Sequence, residues 1–548
     1  MSADVAVNPG DTAWVLVCTG LVLFMTPGLA VFYGGMVRSR NVLAMLQQNM
    51  IALGVVSLTW VFVGYTIAFG DDAGSGLFGN LELFGLTDLK VPPAPHLHVV
   101  DARITIPALA FVAYQMMFAV ITPALVTGAT AGRLKFGGWV LFLAIWSIVV
   151  YAPIAHWLWH PGGWLAKLGT QDWAGGMVVH ASAGAAVVAV LLVVGRRRNW
   201  PHAAAPPNSI PLTILGAGIL WFGWFGFNGG DGLQANGVAA QAVLNTHLAA
   251  AAGMLVWLLV ERFSDGHSTV VGGVSGAVAG LATVTPTAGY VNTLSAVAIG
   301  AIAGLVCHFA LRLKYLLRLD DALDVLAVHF VGGMLGSLLL GLFGDNGINP
   351  LGRDGLFLGG GGGLLWDQLV GVVSVVAFSF VLTWLIAAGI QAVIGLRVPD
   401  KDQDRLDQAQ QGTDAYHLGG VTSLAAPGGP QRRPRPGGAG AAPVPAGHPV
   451  KLVSALLDPS RVSDSGMLRE ELLGAGAISL TVSDTTAATE GTVRQVLPRG
   501  YWQEQPLLAR LRLDVLVPAE AEQAVVDLLS RYEPRLVWAS DVAPVVVR

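Results

Sequence analysis

The chain has 548 residues, of which 53% are hydrophobic and only 12% are charged, with a mean hydropathy of +0.61. In soluble proteins about a quarter of the residues are charged, so this composition indicates a multi-span membrane protein. The net charge of −4 leaves no basic surface for nucleic acid, and two cysteines in apolar runs, Cys18 and Cys307, indicate neither a disulfide framework nor a thiolate metal site.

Eleven apolar runs come close to the ~20 residues that cross a bilayer as a helix. They lie at 12–36, 43–69, 104–131, 137–158, 173–195, 210–229, 236–260, 268–287, 291–312, 322–344 and 366–394. Lys and Arg concentrate in alternate connections, for example at Arg196, Arg197 and Arg198. The positive-inside rule therefore predicts an N-terminus outside the cell and a C-terminus in the cytoplasm. The segment Met1 to Thr12 lacks the features of a cleaved signal, so the first run is expected to persist as a span.

Two runs place a histidine eight residues after an aspartate, at Asp172 to His180 and at Asp321 to His329. Ionisable groups at membrane depth are costly and indicate function. The two runs are five spans apart, which predicts an inverted repeat of spans 1–5 and 6–10 with a pathway where the repeats meet. The alternative is two unrelated buried histidines, each bonded to a helix carbonyl.

Spans one and six each carry a segment rich in glycine and aromatic residues, at Met25 to Gly35 and at Trp221 to Gly230. These glycines either break the helices or let them pack closely, and the sequence leaves both interpretations open.

The composition becomes soluble after the last span, with a charged stretch from Pro399 to Tyr416 and a Pro/Gly-rich run from His417 to His448. The pattern that follows predicts strands at 451–457, 478–483, 507–517 and 536–546 and helices near 464–473 and at 519–532. This βαββαβ order predicts a ferredoxin-like α+β domain. The predicted organisation is a transmembrane domain (1–398), a cytoplasmic tail (399–416), a linker (417–449) and the small domain (450–548).

Several segments resemble ammonium transporters of the Amt/MEP/Rh family, in the order expected and over nearly all of residues 12–416. They are Met25 to Arg38, Asp172 to His180, Trp224 to Gly230, Thr285 to Tyr290, Asp320 to His329 and Gly395 to Pro399. The resemblance implies an all-α polytopic fold of eleven transmembrane helices, assembled as a homotrimer in the cell membrane, with ammonium or ammonia as substrate and no cofactor for transport.

The resemblance also implies roles for individual residues. Ammonium would be recruited in an external vestibule by Phe118, Trp159 and Tyr114; Phe118 and Phe227 would close the pore mouth; His180 and His329 would line the pore and relay a proton; and Asp172 and Trp224 would support the vestibule. Aromatic faces hold a desolvating cation at about 0.5–2 kcal/mol each. Carrying ammonium intact through an apolar lumen is costly, and splitting it into ammonia and a proton removes most of that penalty. For each ring alone, a membrane-interface or core position is the alternative. For Asp172 the alternative is a helix N-cap of span five, which is compatible with support of the vestibule.

The chain departs from the family pattern at Asp231, where a serine is usual. A carboxylate there would attract a cation by about 4 kcal/mol at 4 Å and an effective dielectric of 20. A solvated turn aspartate in Gly-Gly-Asp-Gly is the equally weighted alternative.

The last hundred residues resemble the PII family of nitrogen regulators, which implies a tethered domain that docks at the cytoplasmic exit. The predicted loop Asp484–Gln505 lacks the family's Gly-Arg-Gln-Lys-Gly run, and no basic Gly-rich loop lies between Tyr532 and Leu536, so ATP binding by the usual route is not expected. A nucleotide or another small effector of unknown identity is the expected ligand of this domain.

An ammonium sensor that signals through the PII-like domain is the alternative to transport. An enzyme is not expected, since the sequence carries no nucleophile–base or metal constellation. The glycine run Gly359 to Gly363 lacks a following Gly-Lys-Ser/Thr and is interpreted as a flexible connector.

Overall fold

A computed structural model gives the fold and describes residues 7–87, 89, 104–198, 200–201, 206–416, 450–457, 471–472, 475, 479–486, 492–497, 501–506, 509–531 and 536–542. The chain divides into two compact units, one of Met1–Tyr416 with Leu497–Tyr501 and one of His417–Val496 with Trp502–Arg548. The predicted linker 417–449 lies outside the described residues, as does the predicted helix near 464–473 except for residues 471–472.

The first unit is helical throughout its described membrane region. Its helices are α1 (Pro9–Met36), α2 (Val42–Phe69), α3 (Ala108–Ala129), α4 (Phe136–Leu168), α5 (Gly176–Val194), α6 (Ile210–Gly230), α7 (Gly237–Ser264), α8 (Val270–Val284), α9 (Thr293–Leu316), α10 (Leu326–Phe343) and α11 (Gly363–Val393). Ten of these described helices are long and apolar enough to cross a membrane. The exception is α8, whose 15 residues span about 22 Å at 1.5 Å per residue, short of a core about 30 Å thick. The chain is therefore a multi-pass membrane protein.

Helices α1 and α6 run unbroken through their glycine-rich segments, with Pro27 inside α1. The two helices pack along each other. A Cβ atom on Gly216 would lie 2.5 Å from the Cα of Phe32, and one on Gly28 would lie 3.1 Å from the Cβ of Ile219. The glycines thus serve close helix packing, as one of the two interpretations predicted, and they do not break the helices.

Four stretches inside the long helices have π-helical turns, at Trp60–Gly64, Ser147–Tyr151, Gly176–Ala181 and Leu326–Val331. The last two begin α5 and α10 and contain His180 and His329. Helix α5 starts at Gly176, whereas the hydropathy pattern predicts a start at 173. Asp172 therefore lies outside the helix and is separated from it by three residues. Such turns are rare and often occur at functional sites.

The segment after α11 binds back onto the same unit and forms the short helix α12 (Leu406–Gln411). The Asp407 carboxylate accepts hydrogen bonds from the backbone N–H groups of Leu43 and Ala44, at 3.0 and 2.8 Å, and so caps α2. The backbone N–H of Val398 donates to the carbonyl of Arg133 at 2.8 Å. The predicted tail 399–416 is therefore an ordered part of the membrane unit.

The second unit contains six described strands and one helix. The strands are β1 (Val450–Leu457), β2 (Ser479–Thr486), β3 (Thr492–Leu497), β4 (Tyr501–Pro506), β5 (Ala509–Pro518) and β6 (Leu536–Val542), and the helix is α13 (Glu522–Ser530). Four strands form an antiparallel sheet in the order β2-β5-β1-β6, while β3 and β4 pair separately. Val453 and Val515 of the sheet and Val525 and Leu529 of α13 are fully buried. The predicted loop Asp484–Gln505 therefore contains two strands of its own.

Candidate conduction site

A wide cavity of about 600 Å³ opens at one end of the membrane helices, and we call it the outer cavity. Its lining includes Trp159, Asp172, Asp231, Trp173 and Tyr290. Two carboxylates and several aromatic faces thus meet in one recess. This combination of groups can attract and hold a small cation.

Asp172 organises the wall of the outer cavity. Its Oδ1 accepts from the N–H groups of Gly175 (3.1 Å) and Gly176 (2.6 Å), and its Oδ2 from those of Met177 (2.8 Å) and Val178 (3.0 Å). Burial raises the pKa of Asp172 to about 6, against the lowering effect of these four donors. The backbone of Asp172 also accepts the indole N–H of Trp159 at 2.9 Å. The N-cap position of α5 is Gly175, and the Asp172 carboxylate caps the first turn of the helix from outside it.

Asp231 follows the last residue of α6 and lies half-buried in the lining of the outer cavity. Burial, followed by the charge of Asp172, raises the pKa of this carboxyl well above its ordinary value. The structure therefore places Asp231 in the cavity and not on an outward-facing turn.

Two phenylalanine rings lie next to the outer cavity without lining it. The rings of Phe118 and Phe227 have centroids 4.3 Å apart and an interplanar angle of 39°. Phe118 also contacts Trp159 edge-on at 5.8 Å. We call Phe118 and Phe227 the gate pair.

Tyr114 lies behind the gate pair and outside the lining of the outer cavity. It is fully buried, and its hydroxyl donates to the carbonyls of Phe227 (2.8 Å) and Gly226 (3.0 Å). Its position differs from the substrate contact predicted for it, because the hydroxyl is already taken by the backbone of α6. Tyr114 supports the gate pair from behind.

A small apolar cavity of about 20 Å³ lies beyond the gate pair, and we call it the pore cavity. Phe227, Trp224, His180 and His329 line it together with aliphatic side chains. Its volume accommodates about one water-sized molecule. Trp224, predicted to support the vestibule, lines this cavity instead, with its indole N–H bonded to Thr285 at 2.9 Å.

The two predicted pore histidines face each other. The Nδ1 atoms of His180 and His329 are 3.2 Å apart, and the rings are nearly parallel with centroids 5.2 Å apart. Since a neutral imidazole has one N–H, one Nδ1 donates and the other accepts. The Nε2 of His180 has no hydrogen-bond partner in the part of the chain that the structure describes. Helix α10 approaches closely because position 333 is glycine: a Cβ there would lie 2.6 Å from the Cβ of His180.

His329 also lines a second small cavity of about 20 Å³ on the side away from the gate pair, which we call the inner cavity. Its other lining residues include Phe32, Tyr33, Ser275 and Asp324. The three cavities thus follow one another past the gate pair and the histidines. They are three separate cavities, and His329 lines both of the small ones.

Several side chains that line these cavities were not predicted from the sequence. Trp173 and Gln115 line the outer cavity, and Asp324 lines the inner one. Asp324 lies inside a segment singled out for its family resemblance, yet its distance from the histidine matched no repeated spacing. Trp173 follows Asp172 directly in the sequence, and this position next to a predicted site residue is the feature that could have pointed to it.

Comparison with known proteins identifies the family of this helical unit. Residues 13–416 match the Ammonium Transporter Family. The chain is 45% identical to a Mycobacterium tuberculosis ammonium transporter over 430 residues, which cover 74% of this chain and 90% of the relative. It is similar to the crystal structure of Saccharomyces cerevisiae Mep2, with 34% identity and a TM-score of 0.66 over 72% of this chain and 91% of that one. It is also similar to a structure described as a sensor Amt protein, with 30% identity and a TM-score of 0.66 over 73% of this chain and 98% of that one. The chain belongs to the ammonium transporter family.

Proposed function

We propose that the chain recruits ammonium in the outer cavity, transfers one of its protons to the imidazole pair behind the gate pair and passes ammonia along the pore cavity. The observation that carries this proposal is the facing pair of His180 and His329 between two small cavities, behind stacked phenylalanines. NH₄⁺ gives up one proton, NH₃ crosses the apolar segment, and the two recombine in the cytoplasm.

The pore cavity supports loss of charge before passage. Aliphatic and aromatic groups dominate its lining, so an intact cation would lose its hydration with no compensating charge nearby. Ammonia keeps a lone pair and N–H donors, and the free Nε2 of His180 can bond to it. In this mechanism the imidazole pair holds ammonia and relays the proton between ring nitrogens.

We assign cation recruitment to Asp231 together with the rings of Trp159 and Phe118. Replacing Asp231 with serine is expected to raise the ammonium concentration for half-maximal flux about tenfold, because a charge-assisted contact is lost. As the pKa of Asp231 is raised, lowering the pH neutralises it, so the half-maximal concentration of the wild type should rise as pH falls. This pH dependence should be weaker in the serine variant.

The measurement is initial ammonium flux in proteoliposomes of full-length protein over a range of pH. Asp354→Ser, which changes a carboxylate absent from the outer cavity lining, is the matched control. Equal half-maximal concentrations for Asp231→Ser and the wild type at every pH would reject the cation site at Asp231.

The membrane topology that we propose has eleven spans, with α8 as the eighth. Turns follow α8 from Thr285 to Tyr290 and lengthen its path, and they are buried up to Gly289. An inverted repeat of spans 1–5 and 6–10 is supported by the π-helical starts of both α5 and α10. The N-terminus would lie outside and the C-terminus in the cytoplasm, and three copies would form a homotrimer.

Ammonium sensing with little flux is the alternative function. One similar structure is described as a sensor Amt protein, and a carboxylate at Asp231 would favour tight holding of ammonium. Currents driven by an ammonium gradient separate the two functions: folded wild-type protein that carries no current would reject transport.

We further propose that residues 450–548 form a PII-like, ferredoxin-like domain that regulates flux. The sheet order β2-β5-β1-β6 supports this, since it places β1 and β5 at the centre, as the first and third strands of a βαββαβ unit lie. The paired strands β3 and β4 occupy the position of the long regulatory loop. A nucleotide or another small effector would bind this domain, whereas transport itself would need no cofactor.

Releasing this domain is expected to change the ammonium flux at least twofold, because tethering keeps the domain at about millimolar effective concentration. A protease site inserted within 417–449 allows one preparation to be measured before and after cleavage and washing. Wild-type protein treated with the same protease is the control. Equal flux before and after release, with and without adenine nucleotides and 2-oxoglutarate, would reject regulation by the domain.

A further inference from the structure

An ion pair lies at the inner end of the path. Lys314 Nζ is 2.6 Å from Asp324 Oδ1, and the two side chains are 11% and 3% exposed. Asp324 lines the inner cavity together with His329. A molecule that leaves the histidines on this side therefore meets a carboxylate that already holds a primary ammonium group.

Aromatic rings hold Lys314 at this position. Its Nζ lies 5.3 Å from the ring centroid of Tyr315, and the Tyr315 ring stacks on Trp200 at 5.8 Å. The guanidinium of Arg196 covers the Trp200 ring at 5.4 Å. The lysine thus has a carboxylate and an aromatic face around its charged nitrogen, the same two kinds of group that the outer cavity offers to a cation.

We propose that the Asp324 carboxylate is an inner binding site for the ammonium ion and that Lys314 is its tethered competitor. The –NH₃⁺ group and NH₄⁺ carry the same charge and the same type of N–H donor, so each satisfies the carboxylate in the same way. Because the lysine is attached to the chain, it competes at high effective concentration. It keeps the inner site weak, so ammonium formed there leaves and ammonium from the cytoplasm does not occupy the site for long.

The backbone at Asp324 fixes the carboxylate in this place. Asp324 has φ of +63°, a left-handed conformation that asparagine and aspartate tolerate better than other side chains with a Cβ atom. Asp324→Asn therefore removes the charge and keeps the local fold. This variant separates the effect of charge from an effect of misfolding.

Lys314→Gln in full-length protein is expected to lower, about tenfold, the ammonium concentration for half-maximal flux when ammonium is presented at the face that carries Lys314. Maximal flux should fall, because release from the exposed carboxylate becomes slower. Vesicles of one orientation can be captured through an affinity tag inserted within 417–449. The double variant with Asp324→Asn should return the half-maximal concentration to the wild-type range.

Lys135→Gln is the matched control, since this lysine donates to the carbonyl of Ile394 at 2.7 Å and lines neither small cavity. Lys314→Arg keeps the charge and should behave as the wild type. The proposal rests on the proposed path past His329. A wild type that carries no flux would contradict that path. If the wild type conducts and Lys314→Gln has the same half-maximal concentration, the inner site alone is overturned.

Discussion

Replacing His180 with leucine is expected to lower initial ammonium flux about 100-fold in proteoliposomes of the full-length protein. The variant removes the 3.2 Å contact with Nδ1 of His329 and the free Nε2 that can bond to ammonia. Positioned proton-transfer groups contribute factors of about 10² to 10⁴, which sets the expected size of the loss. Leucine preserves much of the ring's volume, so the pore cavity should stay closed to larger ions.

His247→Leu provides the matched control. His247 is exposed on α7, contacts the rings of Trp221 and Phe225, and lines none of the three cavities. Its variant should conduct as the wild type does. Undiminished flux in a folded His180→Leu protein would remove the histidine pair from the mechanism.

Replacing Asp172 with alanine is expected to lower the free energy of unfolding by about 4 kcal/mol. The substitution leaves the N–H groups of Gly175, Gly176, Met177 and Val178 buried without an acceptor, and each orphaned donor costs about 1–3 kcal/mol. Asp172→Asn should lose about half as much, because its remaining carbonyl oxygen can still accept from two of these groups. Denaturant unfolding in detergent micelles gives the free energies.

Asp231→Ala is the control for this stability measurement, since Asp231 lies in the same cavity yet caps no helix start. We expect it to unfold within about 1 kcal/mol of the wild type, because the substitution leaves no helix-start N–H group without its acceptor. If Asp172→Ala were equally stable, the four backbone contacts would have to be satisfied in some other way.

The membrane helices could be predicted from sequence because hydropathy over about 20 residues reflects the thickness of the bilayer. Ten predicted runs correspond to long helices, and the run at 268–287 corresponds to the short helix α8. Hydropathy alone does not give the start of α5, because the side chain of Asp172 decides it by accepting backbone hydrogen bonds. Hydropathy carries no information about such a contact.

The site was predicted in part. The repeated spacing pointed to His180 and His329, which the fold brings together. The position of Tyr114 depends on the backbone carbonyl of Phe227, more than a hundred residues away, and no local pattern encodes it. The pairing of Lys314 with Asp324 across ten residues depends on the left-handed turn at Asp324, which hydropathy cannot reveal.

The closed gate pair has an electrical consequence. With the rings of Phe118 and Phe227 in contact and only small apolar spaces beyond them, the insulating part of the protein is confined to a thin layer around the histidines. The voltage across the cell membrane should fall mostly over that layer. A proton relayed inward through the imidazoles would then release about 2.3 kcal/mol of electrical energy for every 100 mV. A negative cell interior would therefore drive accumulation of ammonium.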